Sequence, residues 1–139
     1  MKKRTILIVD DEICIRTAFA KLLTGAGYEV HSAESAEEAL QIMRQYPPSL
    51  MFSDLNLPGL NGIELCRRMR QEWPCAIAIA ITGYATLFEL VACREAGFDD
   101  YFLKPLSSKE LLAVADGAFK RMERWKQRQS VKLAAAQAV

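Results

Sequence analysis

Ser53-Asp54-Leu55-Asn56-Leu57-Pro58-Gly59 is the stretch that decides how this chain folds. The apolar run Leu50-Met51-Phe52 before it ends on one carboxylate, Asp54, and the turn-rich segment Pro58-Gly59-Leu60-Asn61-Gly62 follows. That pattern predicts a buried strand delivering Asp54 to a sheet edge, with a loop above it. A lone acid before a turn is also what an Asx turn requires. Chemistry at Asp54 depends on whether other segments bring matching groups to the same edge.

Working outward, strand and helix patterns alternate five times. Thr5-Ile6-Leu7-Ile8-Val9 is a β-branched strand, and Ile13 to Leu23 carries Ile15, Phe19, Leu22 and Leu23 at helical spacing until Gly25 and Gly27. Tyr28 to Ser32 is a weaker strand. Ser35 and Glu38 have capping-box spacing for a helix with Ala39, Leu40 and Met43 inward, which ends before Pro47-Pro48. Leu50 to Ser53 is the third strand, and Ile63 to Glu72 is a helix with Leu65, Cys66 and Met69 on one face. Ala76 to Ile81, uniformly apolar, is a central strand buried on both faces. Ala85 to Glu95 is a helix, Asp100 to Leu103 a short strand, and Ser107 with Glu110 opens a long last helix. Strands joined by helical crossovers run parallel, with helices on both faces, so the expectation is a single three-layer α/β domain.

Such sheets bind ligands outside the carboxyl ends of their strands. The residues placed there are Asp10, Asp11 and Glu12 after the first strand, Asp54 after the third, Thr82 after the fourth and Lys104 after the fifth. Converging carboxylates repel, and the usual relief is a divalent cation. All-oxygen donors favour Mg²⁺, with Mn²⁺ also suited. A phosphoryl group there would need a cation and a hydroxyl donor, the chemistry of Lys104 and Thr82. A carboxylate can itself be the nucleophile that forms an aspartyl phosphate, and Asp54 is the candidate. Each residue has a plainer role too: Asp10-Asp11 as a helix cap, Lys104 as a solvated lysine, Thr82 as a strand-end threonine. Their joint placement carries the argument.

Val9-Asp10-Asp11-Glu12, Asp54-Leu55-Asn56-Leu57-Pro58 with Gly62, Ile81-Thr82-Gly83 and Lys104-Pro105 together resemble the receiver domain of two-component response regulators, over about residues 4–125. The resemblance implies a five-stranded parallel, flavodoxin-like sheet in order 2-1-3-4-5. It implies that Asp54 is the phosphoacceptor for a phosphohistidine on a histidine kinase or histidine phosphotransfer protein. Asp11, Asp54 and the backbone carbonyl of Asn56 match the Mg²⁺ ligands, and Asp10 matches the acid that acts through metal-bound water. Lys104 matches the lysine that pairs with the phosphoryl oxygens, and its bond to Pro105 is expected cis. Thr82 matches the switch hydroxyl and Tyr101 the switch aromatic, whose plainer role is an outward strand tyrosine. Partners would read the fourth helix, fifth strand and fifth helix, where a homodimer can also form. Asn56 and Tyr84, two residues after Asp54 and Thr82, are positions that modulate phosphoryl lifetime, with Tyr84 expected to shield the group.

Composition agrees with a globular domain: 139 residues, 51% hydrophobic, 25% charged, net charge +1. That balance gives no case for nucleic acid. The basic start, Met1-Lys2-Lys3-Arg4, precedes too short an apolar run for a signal peptide, and no run spans a bilayer, so the expected location is the cytoplasm. Cys14, Cys66, Cys75 and Cys93 show no CxxC spacing and read as reduced, buried thiols; His31 is the only histidine. Residues 1–128 read as the receiver, with the final helix about 107–128, and 129–139 as a tail that either extends the helix or lacks order. The last helix carries Leu111, Leu112, Ala115, Ala118, Phe119, Met122 and Trp125 on one face, with Met122 and Trp125 expected past the domain for self-association or docking. Lys120, Arg121, Arg124, Lys126, Arg128 and Lys132 read as a solvated basic face. The chain is expected to act without turnover of a separate substrate, either alone or as the receiver of a longer regulator or hybrid kinase. A Mg²⁺-dependent phosphohydrolase is the enzyme alternative, but Asn56 stands where that chemistry wants a second acid.

Overall fold

Runs of β-branched and apolar residues become five parallel strands, and the segments between them become helices, as the computed structural model of residues 4–137 (side chains through 128) shows. The strands are β1 (Thr5–Val9), β2 (Glu29–Ala33), β3 (Leu50–Ser53), β4 (Ile77–Thr82) and β5 (Asp100–Leu103). The helices are α1 (Ile13–Gly25), α2 (Ala36–Gln45), α3 (Gly62–Glu72), α4 (Leu87–Ala96) and α5 (Ser108–Gln137). The sheet order is β2-β1-β3-β4-β5, the flavodoxin-like order expected.

Two cores form because alternate strand residues face opposite sides of the sheet. Leu7, Val9, Met51, Ala78 and Ala80 pack with α2, α3 and α4 through Ala39, Met43, Leu65, Cys66, Met69 and Cys93. Ile6, Ile8, Leu50, Phe52, Ile77, Ile79 and Ile81 pack with α1 and α5 through Leu23, Leu111, Ala115 and Phe119. Each large apolar side chain so buried stabilises by about 1.5–3 kcal/mol before entropy is counted. Edge strand β2 is only half-buried, which explains its faint signal, and it runs one residue later than expected.

Several expectations change. Helix α4 starts at Leu87 because Thr86 caps it: its Oγ1 accepts from Glu89 N at 3.1 Å, and Glu89 returns a contact to Thr86 N at 3.5 Å. Of the four cysteines only Cys66 and Cys93 are buried. Cys14 faces outward on the first turn of α1, and Cys75 lies in the turn before β4, so both are exposed. Met122 does not leave the domain; it packs against the α1–α5 core, while Trp125 is exposed. The tail is helical through Gln137. The basic start at residues 1–3, the Lys132 side chain and residues 138–139 lie outside the described residues.

At the amino ends of β4 and β5, Arg70 joins separate segments. Its guanidinium donates to Gly97 O at 2.9 and 2.6 Å, to Pro74 O at 3.1 Å, to Ala76 O, and to Asp99 Oδ2 at 2.6 Å. Asp99 Oδ2 also accepts from Ala78 N at 2.9 Å. The C-cap Gly97 has φ +108°, and a Cβ there would also strike Arg70.

Candidate functional site

Strand register places the acids side by side. Val9 pairs with Ser53, so the next residues, Asp10 and Asp54, leave the sheet together. Thr82 pairs with Leu103, so Lys104 emerges from the neighbouring strand end. Backbone bonds fix these exits: Asp54 N donates to Val9 O at 2.9 Å, Asp10 N to Ala33 O at 3.1 Å, and Lys104 N to Thr82 O at 2.8 Å. The Lys104–Pro105 bond is cis, as expected.

Lys104 is the hub. Its ammonium lies 2.9 Å from Asp54 Oδ2, 2.9 Å from Asp10 Oδ2 and 3.6 Å from Glu12 Oε1. It is not the solvated lysine of the plainer reading. Asp10 and Asp54 are 3% and 6% exposed, so both carboxylates meet the cation largely out of water. Burial holds the Asp10 carboxyl above its ordinary pKa, although Lys104 and the Glu12 N–H pull it down. For Lys104, burial pulls the pKa down, but hydrogen bonds and charge from Asp54 and Asp10 outweigh it, and the ammonium is held above its ordinary value.

The second oxygens are also used. Asp54 Oδ1 accepts from Asn56 N at 3.1 Å, so Asp54 does form the Asx turn, and the turn orients it within the site. Asp10 Oδ1 accepts from Glu12 N at 2.9 Å. The N-cap of α1 is Glu12, with no side-chain cap, so the helix-cap role for Asp10-Asp11 fails. Arg16 Nη1 donates to Asp10 O at 2.7 Å. Gly62 explains itself: a Cβ there would collide with the carbonyl oxygen of Asp54.

Carboxylate oxygens of Asp10, Asp11 and Glu12 lie within 4.8 Å of one another. An all-oxygen cluster beside Asp54 fits a hard divalent cation such as Mg²⁺. Glu12 joins the cluster, whereas Asp54 is held by Lys104. Nothing but its position after Asp11 marked Glu12 in the sequence.

Thr82 is buried at the end of β4, its hydroxyl bonded to Asn56 and Tyr84. Tyr101 is 43% exposed on β5, the outward arrangement. Tyr84 is exposed, as are Leu87, Phe88 and Val91 of α4 and Leu103 of β5. The strand ends therefore gather Asp10, Asp11, Asp54, Asn56, Thr82 and Lys104, while Tyr84 and Tyr101 stay on the adjoining surface.

A doubly wound parallel sheet in this strand order, with clustered acids, a lysine and a hydroxyl at its carboxyl edge, defines a flavodoxin-like domain with an acidic site at its switch point. The response regulator receiver domain family matches residues 6–116, and the chain belongs to it. A probable transcriptional regulator, ycf27, of Porphyridium aerugineum is 37% identical over 124 residues, 89% of this chain and 51% of that protein. The alkaline phosphatase synthesis transcriptional regulatory protein PhoP of Bacillus subtilis is 37% identical over 120 residues, 86% of this chain and 50% of its own length. The chain thus spans about half the length of these relatives. Among solved structures, a CheY-like response regulator receiver domain protein of Methanospirillum hungatei superposes with TM-score 0.86 at 32% identity, covering 88% of this chain and 98% of that one.

Proposed function

We propose that this receiver domain accepts a phosphoryl group on Asp54 from the phosphohistidine of a histidine kinase or histidine phosphotransfer protein. The carrying observation is the Lys104 ammonium, 2.9 Å from both Asp54 Oδ2 and Asp10 Oδ2. Asp54 is held by two orienting contacts, the Asn56 N–H on Oδ1 and Lys104 on Oδ2. Its carboxylate oxygen attacks phosphorus, the P–N bond breaks, and the imidazole of the donor leaves with the electron pair. Asp11, Asp54 and the Asn56 carbonyl would hold Mg²⁺ (or Mn²⁺), with Asp10 acting through metal-bound water and Glu12 clustered beside Asp10 and Asp11. The cation, when bound, offsets the charge of the phosphoryl oxygens. Lys104 then pairs with a phosphoryl oxygen instead of the free carboxylate. The chain catalyses its own phosphorylation and dephosphorylation, and turns over no separate substrate.

Phosphorylation adds roughly −1.5 to −2 charges and three acceptor oxygens. Thr82 and Lys104 respond, Tyr101 follows inward, and the α4-β5-α5 surface changes. That surface carries exposed apolar side chains before the switch: Leu87 and Phe88 of α4 are 79% and 82% exposed, and Val91 of α4 and Leu103 of β5 are exposed too. It suits a protein partner or a second copy of this chain. This reading places the protein in the cytoplasm with its phosphodonor. No described helix is long and apolar enough to cross a membrane.

A second reading, that this receiver works joined to an output domain, draws on the relatives of twice the matched length, named as transcriptional or DNA-binding regulators. The length of the coding sequence decides between them. For the acceptor itself, transfer of labelled phosphoryl from a phosphorylated kinase should vanish in Asp54→Asn while the unfolding midpoint stays cooperative. Stoichiometric labelling of that variant at the same site would sink the assignment.

A further inference from the structure

We infer that the side chain of Asn56 is a latch that holds Thr82 out of the phosphoryl site, and that this sets how readily the domain switches. The inference rests on the reading of Asp54 as acceptor and Thr82 as the hydroxyl that moves to it. Asn56 Nδ2 donates to Thr82 Oγ1 at 3.4 Å, and Thr82 Oγ1 donates to Tyr84 O at 3.3 Å. A hydroxyl has one proton. In this arrangement it is committed to the Tyr84 carbonyl, and one lone pair is committed to the Asn56 amide. Among the described residues, no hydrogen bond runs from the Thr82 hydroxyl to Asp54. To donate to a phosphoryl oxygen, Thr82 must turn away from both partners.

Asn56 suits this task because its backbone and side chain act separately. Its N–H donates to Asp54 Oδ1 at 3.1 Å and fixes the acceptor. Its amide reaches across to the end of β4 and restrains the switch. One exposed residue therefore ties the acceptor loop to the switch hydroxyl. Asn56→Ala keeps the backbone contact and removes only the restraint. The gain on switching is limited to what that bond contributes. For an ordinary hydrogen bond this is about two- to tenfold in an equilibrium, and at 3.4 Å the lower part of that range applies.

The test is a double-mutant cycle read by the affinity for beryllofluoride at saturating Mg²⁺. Asn56→Ala should tighten binding about two- to fivefold in the Thr82 background and leave it unchanged in the Thr82→Ala background. A role of Asn56 in loop structure or metal binding would change both backgrounds alike. Equal gains in the two backgrounds, or unchanged or weaker binding in the Thr82 background, overturns the latch while leaving the acceptor assignment intact. Absence of Mg²⁺-dependent beryllofluoride binding by the parent protein instead removes the acceptor reading, and the latch with it.

Discussion

Replacing Lys104 by Met keeps a long side chain but removes the only cation that the Asp10 and Asp54 carboxylates share in the described site. Both acids are nearly out of water, at 3% and 6% exposure. Removing one partner of a buried ion pair costs about 3–5 kcal/mol, because the remaining charge has lost its water and its counterion. The Lys104 side chain is 15% exposed and Glu12 faces solvent, so the lower end, about 3 kcal/mol, is expected. The loss should depend on pH with a definite sign. In the variant the Asp10 carboxyl, already raised by burial, loses the partner that lowers it and rises further. A carboxyl whose folded pKa exceeds its unfolded value is penalised above the folded pKa. That penalty disappears below the unfolded value, 3.8 for Asp10. The gap between parent and variant should therefore narrow as pH falls from about 8 toward about 4.5. Urea unfolding followed by tryptophan fluorescence in EDTA measures it, and added Mg²⁺ should restore more stability to the variant than to the parent. A loss under about 1 kcal/mol in EDTA near neutral pH, or a loss unchanged on acidification, would refute the account of Lys104 as the counterion of a buried acid pair.

Other expectations follow from single contacts. Burial pushes the Cys66 thiol up to about 11 from 9.0, so the folded state keeps a proton that the unfolded chain loses. Relative to Cys66→Ala, the parent should lose about 1.4 kcal/mol between neutral pH and about pH 10, measured by urea titrations; parallel curves would contradict it. Gly62→Ala drives a Cβ into the Asp54 carbonyl and should cost about 3 kcal/mol, since a backbone group yields less than a side chain. It should also impair phosphotransfer, and a fully active, equally stable variant would show that the loop yields freely. Tyr84→Ala should speed hydrolysis of the phosphorylated protein a few-fold if Tyr84 screens the group from water, and an unchanged rate argues against screening.

Much of the fold was readable because its signals are local. The β-branched runs at Thr5–Val9 and Ile77–Ile81 and the Ser35–Glu38 and Ser107–Glu110 caps depend on neighbours in sequence. The site was legible because parallel register sends every strand's carboxyl end to one edge, which put Asp10, Asp54, Thr82 and Lys104 together. What escaped depends on partners distant in sequence. The Asn56–Thr82 bond spans 26 positions and the Arg70–Asp99 pair 29. Cys14 and Cys75 are exposed against expectation for a related reason: apolar neighbours do not say which side of a turn or helix faces water. Met122 packs against the core, short of the expected exit, because where a long helix leaves its sheet is set by the sheet's extent rather than by the helix's own pattern.

The Arg70 clamp has a mechanical consequence. Gly97 closes α4, and its carbonyl is gripped by Nε and Nη2 of Arg70, while Nη1 holds Ala76 O just before β4 and Nη2 also holds Asp99 just before β5. A rod fastened at one end swings only at the other. The ten residues of α4 make a lever about 15 Å long with its fulcrum at Gly97. A tilt of about 10° moves the free end by roughly 2.6 Å and the fastened end hardly at all. Leu87 and Phe88 sit at that free end and are 79% and 82% exposed, so the end such a tilt would carry is the one most open to contact.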